Sequence, residues 1–152
     1  MRPTIILAAD HAGFQLKEMV KFHLQKKGYP VKDMGAHAYD AEDDYPDFII
    51  AAAREVAKKP ATAKGIIFGG SGQGEAIAAN RIKGVRAALY AGGNLAIVRL
   101  SRAHNDANIL SLGARLMTAE HAIKAISLWL STPFKGEKRH IRRIKKIDQM
   151  ST

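Results

Sequence analysis

Gly65-Ile66-Ile67-Phe68-Gly69-Gly70-Ser71-Gly72-Gln73-Gly74-Glu75-Ala76-Ile77-Ala78-Ala79 joins a short apolar run to a helix-forming one through a glycine-rich turn. Gly65 to Phe68 has strand length and no alternation, as a strand covered on both faces reads. The helical run from Ala76 to Lys83 stops at Gly84. The same strand-then-helix unit recurs on either side. Thr4 to Ala9 is another apolar strand, followed after Gly13 by a helical stripe of Leu16, Met19, Val20 and Leu24 that stops at Gly28. Tyr29 to Lys32 reads as a second strand. An acidic loop, Asp40 to Asp44, leads to Pro46 and a helix with Ile49, Ala52, Ala53 and Val56 inward, ended at Lys59-Pro60. Beyond Gly84 come a strand at Arg86 to Tyr90, a helix at Asn94 to Arg102 with Ala96, Ile97 and Leu100 inward, and a strand at Asn108 to Leu112. Thr118 caps a helix running to Ser131, and a basic amphipathic helix follows with Ile141, Ile144 and Ile147 on its inner face. Strands alternating with helices at this spacing predict one three-layer α/β domain over residues 1–152, a parallel sheet with helices on both faces. Ligands of such sheets bind beyond the carboxyl ends of the strands. The residues to read for chemistry are therefore Asp10 and His11, Gly69 to Glu75, Ala91 to Asn94 and Gly113 to Arg115.

Composition narrows the class. The 152 residues are 47% apolar and 25% charged, ordinary for a globular chain and outside the range of disordered ones. No apolar run approaches the ~18 residues of a membrane span, and the N-terminus does not read as a signal peptide. There are no cysteines, so disulfides, thiolate zinc sites and cysteine nucleophiles are out; a reducing, cytoplasmic setting fits. The net charge of +10 is local: Lys135 to Lys146 carries +6 of it. That patch faces something anionic, with nucleic acid, a membrane surface and phosphorylated metabolites all open.

The glycine turn fails three familiar patterns. Glu75 stands where a P-loop requires lysine, and Gln73 where the nucleophile elbow requires its last glycine. As a dinucleotide turn it follows the wrong strand, with no acid from Ala76 to Asn105 to hold a ribose. What remains is an oxyanion cradle beside a serine and a carboxylate, or a glycine turn serving only close helix packing. Asp10-His11 pairs a carboxylate with an imidazole at the binding edge; the alternative is an N-cap by Asp10 with His11 merely exposed. His104-Asn105-Asp106 offers an imidazole suited to acid–base work, or simply a helix end. His23, His37, His121 and His140 read as surface residues. Asp40, Glu42, Asp43 and Asp44 lack the spacing of a calcium loop and read as a solvated loop capping the next helix, so no metal site is expected. Arg139 and Arg143, four apart, share one helix face and suit a phosphate, while Arg142 and Lys146 point outward. A nucleic-acid helix lacks support, because no aromatic residue from Lys135 to Thr152 is there to stack on a base.

Five motifs in order carry a resemblance: Ala9-Asp10-His11-Ala12-Gly13-Phe14, Asp44-Tyr45-Pro46, Gly69 to Glu75 continuing to Asn80, Ser101-Arg102 with His104-Asn105-Asp106, and Arg139-His140 with Arg143. Together they resemble the type B ribose-5-phosphate isomerases and the related galactose-6-phosphate isomerase subunits, over nearly the whole chain. The resemblance implies a Rossmann-like five-stranded parallel sheet and interconversion of ribose 5-phosphate and ribulose 5-phosphate without metal or organic cofactor. It also implies a homodimer or dimer of dimers with shared sites. By position, His104 would open the sugar ring with Asp10 assisting, and Ser71 and the amides around Gly70, Gly72 and Gly74 would hold the enediolate. His11, Arg115, Arg139 and Arg143 would bind phosphate, and Tyr45 and Asn105 would line the sugar site. Many members place a cysteine base where this chain has Gly69, so the resemblance is to the subgroup whose base is a glutamate at Glu75. Other sugar phosphates (allose or galactose 6-phosphate, or a tetrose phosphate) and a basic RNA-binding module stand as alternatives; nucleic acid and membrane are not the expected partners.

Overall fold

A computed structural model describes residues 1–150. Its strands are β1 (Thr4–Ala9), β2 (Val31–Asp33), β3 (Ala63–Gly69), β4 (Ala87–Tyr90) and β5 (Ile109–Gly113). Between and after them come α1 (Phe14–Lys26), α2 (Tyr45–Lys58), α3 (Gln73–Ala79), α4 (Ala96–Ala103), α5 (Ala119–Ser131) and α6 (Lys138–Gln149), with a single 3₁₀ turn at Ala114–Leu116. The sheet is all parallel in the order β2-β1-β3-β5-β4, the expected three-layer Rossmann-like arrangement.

Side chains alternate along each strand, so the sheet feeds two cores. Ile5, Leu7, Ile66, Phe68, Leu110 and Leu112 face α1, α4 and α5, where Leu16, Val20, Leu24, Val98, Ile126 and Trp129 meet them. Ile6, Ala8, Ile67 and Ile109 face α2 and α3, against Ile49, Ala52, Ala53, Val56 and Ala79. Burying both faces explains why the strands read as continuous apolar runs.

Register sets the site. Ala9, Phe68, Leu112 and Tyr90 stand in one row across the sheet, and Gly69 pairs with Gly113 one step further on. The segments that follow these strands thus emerge level at one edge. β1 leads leftward to β2 while β3 leads rightward toward β4, so the crevice lies between β1 and β3, where the connections diverge.

Three helix faces differ from their sequence reading. Met19 is 54% exposed instead of inward. On α4 the buried residues are Val98, Ser101, Arg102 and Ala103, whereas Ile97 and Leu100 face outward. Arg102 turns that face inward because its guanidinium donates to Asp106 at 2.8 Å and to the Ala107 carbonyl at 2.6 Å and lies over Trp129. On α6 only His140 is buried; Ile141 and Ile147 lie exposed and Ile144 is half-buried, since among the described residues nothing covers that face. Boundaries move slightly as well: β2 starts at Val31, and α3 starts at Gln73 and ends at Ala79.

Candidate active site

At the carboxyl edge the chain is drawn tight around Glu75. Gly13 is the first reason. A Cβ there would stand 2.5 Å from the Phe68 Cβ and 2.7 Å from its carbonyl oxygen, so only glycine lets the β1–α1 turn lie against the end of β3. That turn carries Asp10, 6% exposed, whose Oδ1 accepts from the Ala12 and Gly13 amides at 3.0 and 3.3 Å. Asp10 is thus not the N-cap of α1, a place taken by Gly13 without a side-chain cap bond; its carboxylate instead ties down the turn before the helix, at the binding edge and beside Glu75. His11 is not merely exposed: Asp43 Oδ1 accepts from its backbone N–H at 2.9 Å and lies 2.7 Å from its Nδ1.

The glycine turn is held from below. Ser111, fully buried on β5, donates through Oγ to the Gly72 carbonyl at 2.7 Å, and Gly72 itself has φ +80. Around that turn, side chains occupy the space glycines leave. The Glu75 carboxylate fills the volume where a Cβ of Gly69 would be. The Tyr45 hydroxyl stands against Gly74, and Arg115 against Gly70, whose carbonyl also accepts from the Arg115 amide at 3.1 Å. Glu75 is 4% exposed. Burial pushes its carboxyl above the ordinary carboxylate range; its own backbone N–H works the other way, and the charge of Asp10 adds to the rise. Ser71 is half-buried, its Oγ accepting from the Gln73 amide at 3.4 Å.

A second cluster sits at the opposite edge. α4 runs back across the sheet, so His104 and Asn105 reach the edge where strands begin. There the Asn105 carbonyl accepts from Arg86, which immediately precedes β4. His104 caps α4 and stacks on His140 with centroids 4.4 Å apart and planes 17° off parallel. Asp106, at φ +46, takes hydrogen bonds from Arg102 and Arg86 and pins the turn. Arg139 and Arg143 flank His140 on α6 and are exposed. The chain therefore brings Asp10, His11, Tyr45, Gly70, Ser71, Gly72, Gly74, Glu75 and Arg115 together, and His104, Asn105, Arg139 and Arg143 together. It does not bring the two groups to each other.

The sequence profile described as Ribose/Galactose Isomerase matches residues 5–147. The chain belongs to the ribose/galactose isomerase family. Ribose-5-phosphate isomerase B of Mycolicibacterium paratuberculosis is 42% identical over 140 residues, 92% of this chain and 86% of the relative. The fold is shared with ribose-5-phosphate isomerase B of Mycoplasma genitalium, solved with bound ribulose-5-phosphate, at TM-score 0.93 and 40% identity over 98% of this chain and 96% of that one. The Thermotoga maritima enzyme matches at TM-score 0.90 and 43% identity, covering 99% of this chain and all of that one.

Within this family member, two readings of the sequence change. Two of the supposed surface histidines are not free: His140 is 5% exposed, and His121 lies 2.6 Å from the Tyr90 hydroxyl, which donates to Gly93. The acidic loop is not simply a solvated cap either. Asp44 sits at the cap of α2 without a side-chain cap bond, while Asp43, its side chain 8% exposed, binds His11. The sequence offers no local signal for the roles of Asp43, Ser111 and His140, and Ser111 draws no reading at all. Their partners lie 32, 39 and 36 positions away, beyond any local spacing rule. Asp10, His11 and Asp43 each offer a ligand atom within 4.8 Å of the others. Within the trio, His11 Nδ1 lies 2.7 Å from Asp43 Oδ1 and 3.9 Å from Asp10 Oδ2, with Arg115 close enough for its charge to act on the ring. No helix among the described residues is long and apolar enough to cross a membrane.

Proposed function

We propose that this chain interconverts ribose 5-phosphate and ribulose 5-phosphate through an enediolate, with Glu75 as the base. One observation carries the reading: a buried carboxylate, titrating above its ordinary range, fills the space at Gly69 beside Asp10 and a glycine turn. Aldose–ketose isomerisation needs such a base to move a proton between adjacent carbons, plus donors for the developing oxyanion. Ring opening breaks the C1–O4 bond as a proton passes from the C1 hydroxyl to the ring oxygen; His104 and Asp10 handle that transfer. Glu75 then takes the C2 proton and returns it to C1, while the O2 proton passes to O1. Ser71 and the amides around Gly70, Gly72 and Gly74 stabilise the enediolate oxygens. Tyr45 and Asn105 contact the sugar. His11, Arg115, Arg139 and Arg143 hold the phosphate, whose binding energy orients the reacting carbons.

The two clusters lie at opposite edges of one sheet, with about 16 Å of β5 between them. A working site therefore joins the carboxyl edge of one chain to the His104–α6 edge of another, as a homodimer or a dimer of dimers. The exposed isoleucine face of α6 supports that assembly. The relatives' names favour the pentose substrate, while the family description names galactose beside ribose, and galactose 6-phosphate stands as the competing sugar. An isomerase assay on a panel of pentose, hexose and tetrose phosphates with EDTA present tests the reading. Highest kcat/KM on ribose 5-phosphate, undiminished by EDTA, is the expected result.

A further inference from the structure

Asp43 has no part in the reaction sequence above, yet its side chain is only 8% exposed and is committed to a residue of the carboxyl edge. It lies in the loop between β2 and α2, and its Oδ1 accepts twice from one residue, from the His11 backbone N–H and from the His11 ring. Double acceptance sets both the place of His11 and the rotation of its imidazole. With Nδ1 engaged, Nε2 is the nitrogen left free to meet a ligand. Tyr39, from the same loop, meets the ring edge-on with centroids 6.4 Å apart. The other oxygen, Oδ2, is buried with no hydrogen-bond partner, an arrangement that costs free energy and is kept nonetheless.

We propose that Asp43 is a positioning residue for substrate binding: it holds His11 with Nδ1 engaged and presents the Nε2–H, as a charged donor, to the phosphate of the substrate. The proposal rests on the phosphate-binding reading of His11. Three charged groups face that ring. Asp43 and, at 3.9 Å, Asp10 lie on its acidic side, and the Arg115 guanidinium on its basic side. The Asp43 hydrogen bond raises the imidazole above its ordinary value, burial and Arg115 oppose that rise, and Asp10 adds to it. A cationic His11 beside Arg115 gives a phosphate dianion two charge-assisted donors at one edge. Removing the Asp43 charge leaves burial and Arg115 opposed by Asp10 alone, so the ring loses its proton at lower pH.

Asp43→Asn tests this, since the amide oxygen still accepts from the His11 backbone. Three quantities are measured: the His11 titration midpoint by NMR in substrate-free enzyme, KM and kcat for ribose 5-phosphate across pH, and Ki for inorganic phosphate. The expected result is a lower midpoint, with KM and Ki raised about tenfold near pH 7.5 and kcat within about twofold of wild type. The KM difference should close at pH values where the variant's His11 is protonated. His11→Asn should raise KM similarly, and the double variant should add little more. An unmoved midpoint overturns the proposal, as does a lowered midpoint with KM and Ki unchanged. If His11→Asn raises KM and Asp43→Asn does not, positioning is what fails; if neither raises it, the phosphate reading of His11 fails and takes the proposal with it. Should Asp43→Asn not fold, Asp43→Ser, which removes the charge and shortens the reach to His11, is measured in the same way with the same directions expected.

Discussion

Glu75 combines two demands that oppose each other. Its place in the first turn of α3 favours the ionised form, and its burial favours the neutral one; burial prevails, and the pKa is raised. The acid limb of kcat/KM should therefore lie above the ordinary carboxylate range, which a pH–rate profile measures. The same shift has a sign for stability. A carboxyl whose folded pKa is raised contributes fully below its unfolded pKa, and that contribution is lost as pH rises through the folded value. Glu75→Gln removes the burden of an ionised buried group. Its Tm should match or exceed wild type at pH 7, with the difference shrinking toward pH 4, while kcat falls about 10²-fold or more. Exchange of the C2 proton with deuterated solvent should stop. If Glu75→Gln turns over near the wild-type rate, the base lies elsewhere, and Asp10 is the next candidate.

The β1–α1 turn and α6 show how an element acts on the chemistry it carries. Gly13→Ala places a methyl against the Phe68 backbone, where nothing flexible can give way. The expected loss is about 1–3 kcal/mol in urea denaturation, with a fall in kcat as Asp10 moves off the end of β3. On α6 the arginines are exposed and their loss leaves no cavity. Arg143→Ala should raise KM for the phosphorylated sugar with Tm unchanged; unaltered kinetic constants would return α6 to a solvated role. These elements were legible to different depths. α2 shows its inward face in sequence because Ile49, Ala52, Ala53 and Val56 repeat at helical spacing and all four are buried. α4 does not, because its face is chosen by Arg102, whose partners Asp106 and Trp129 outweigh the apolarity of Ile97 and Leu100.

Taken together, the edges of the sheet place the base and the ring-opening histidine of the proposed reaction too far apart for one chain. Mixing Glu75→Gln with His104→Ala should accordingly restore part of the activity once subunits exchange, because each mixed dimer holds one site with both groups intact. No recovery after exchange shown by native mass spectrometry would count against a shared site. The sequence by itself determined the layers, the strands and the segments at the binding edge. Those follow from patterns within ten or so residues: apolar runs of strand length, helical stripes, and glycines where a turn must close. Only the tertiary structure decided what each group faces. It paired His11 with Asp43, set Ser111 beneath the glycine turn and seated the Glu75 carboxylate in the space at Gly69. It also carried His104 to the far edge, where it stacks on His140. Those pairings join residues far apart in the chain, and they depend on strand order and register, which local spacing does not encode.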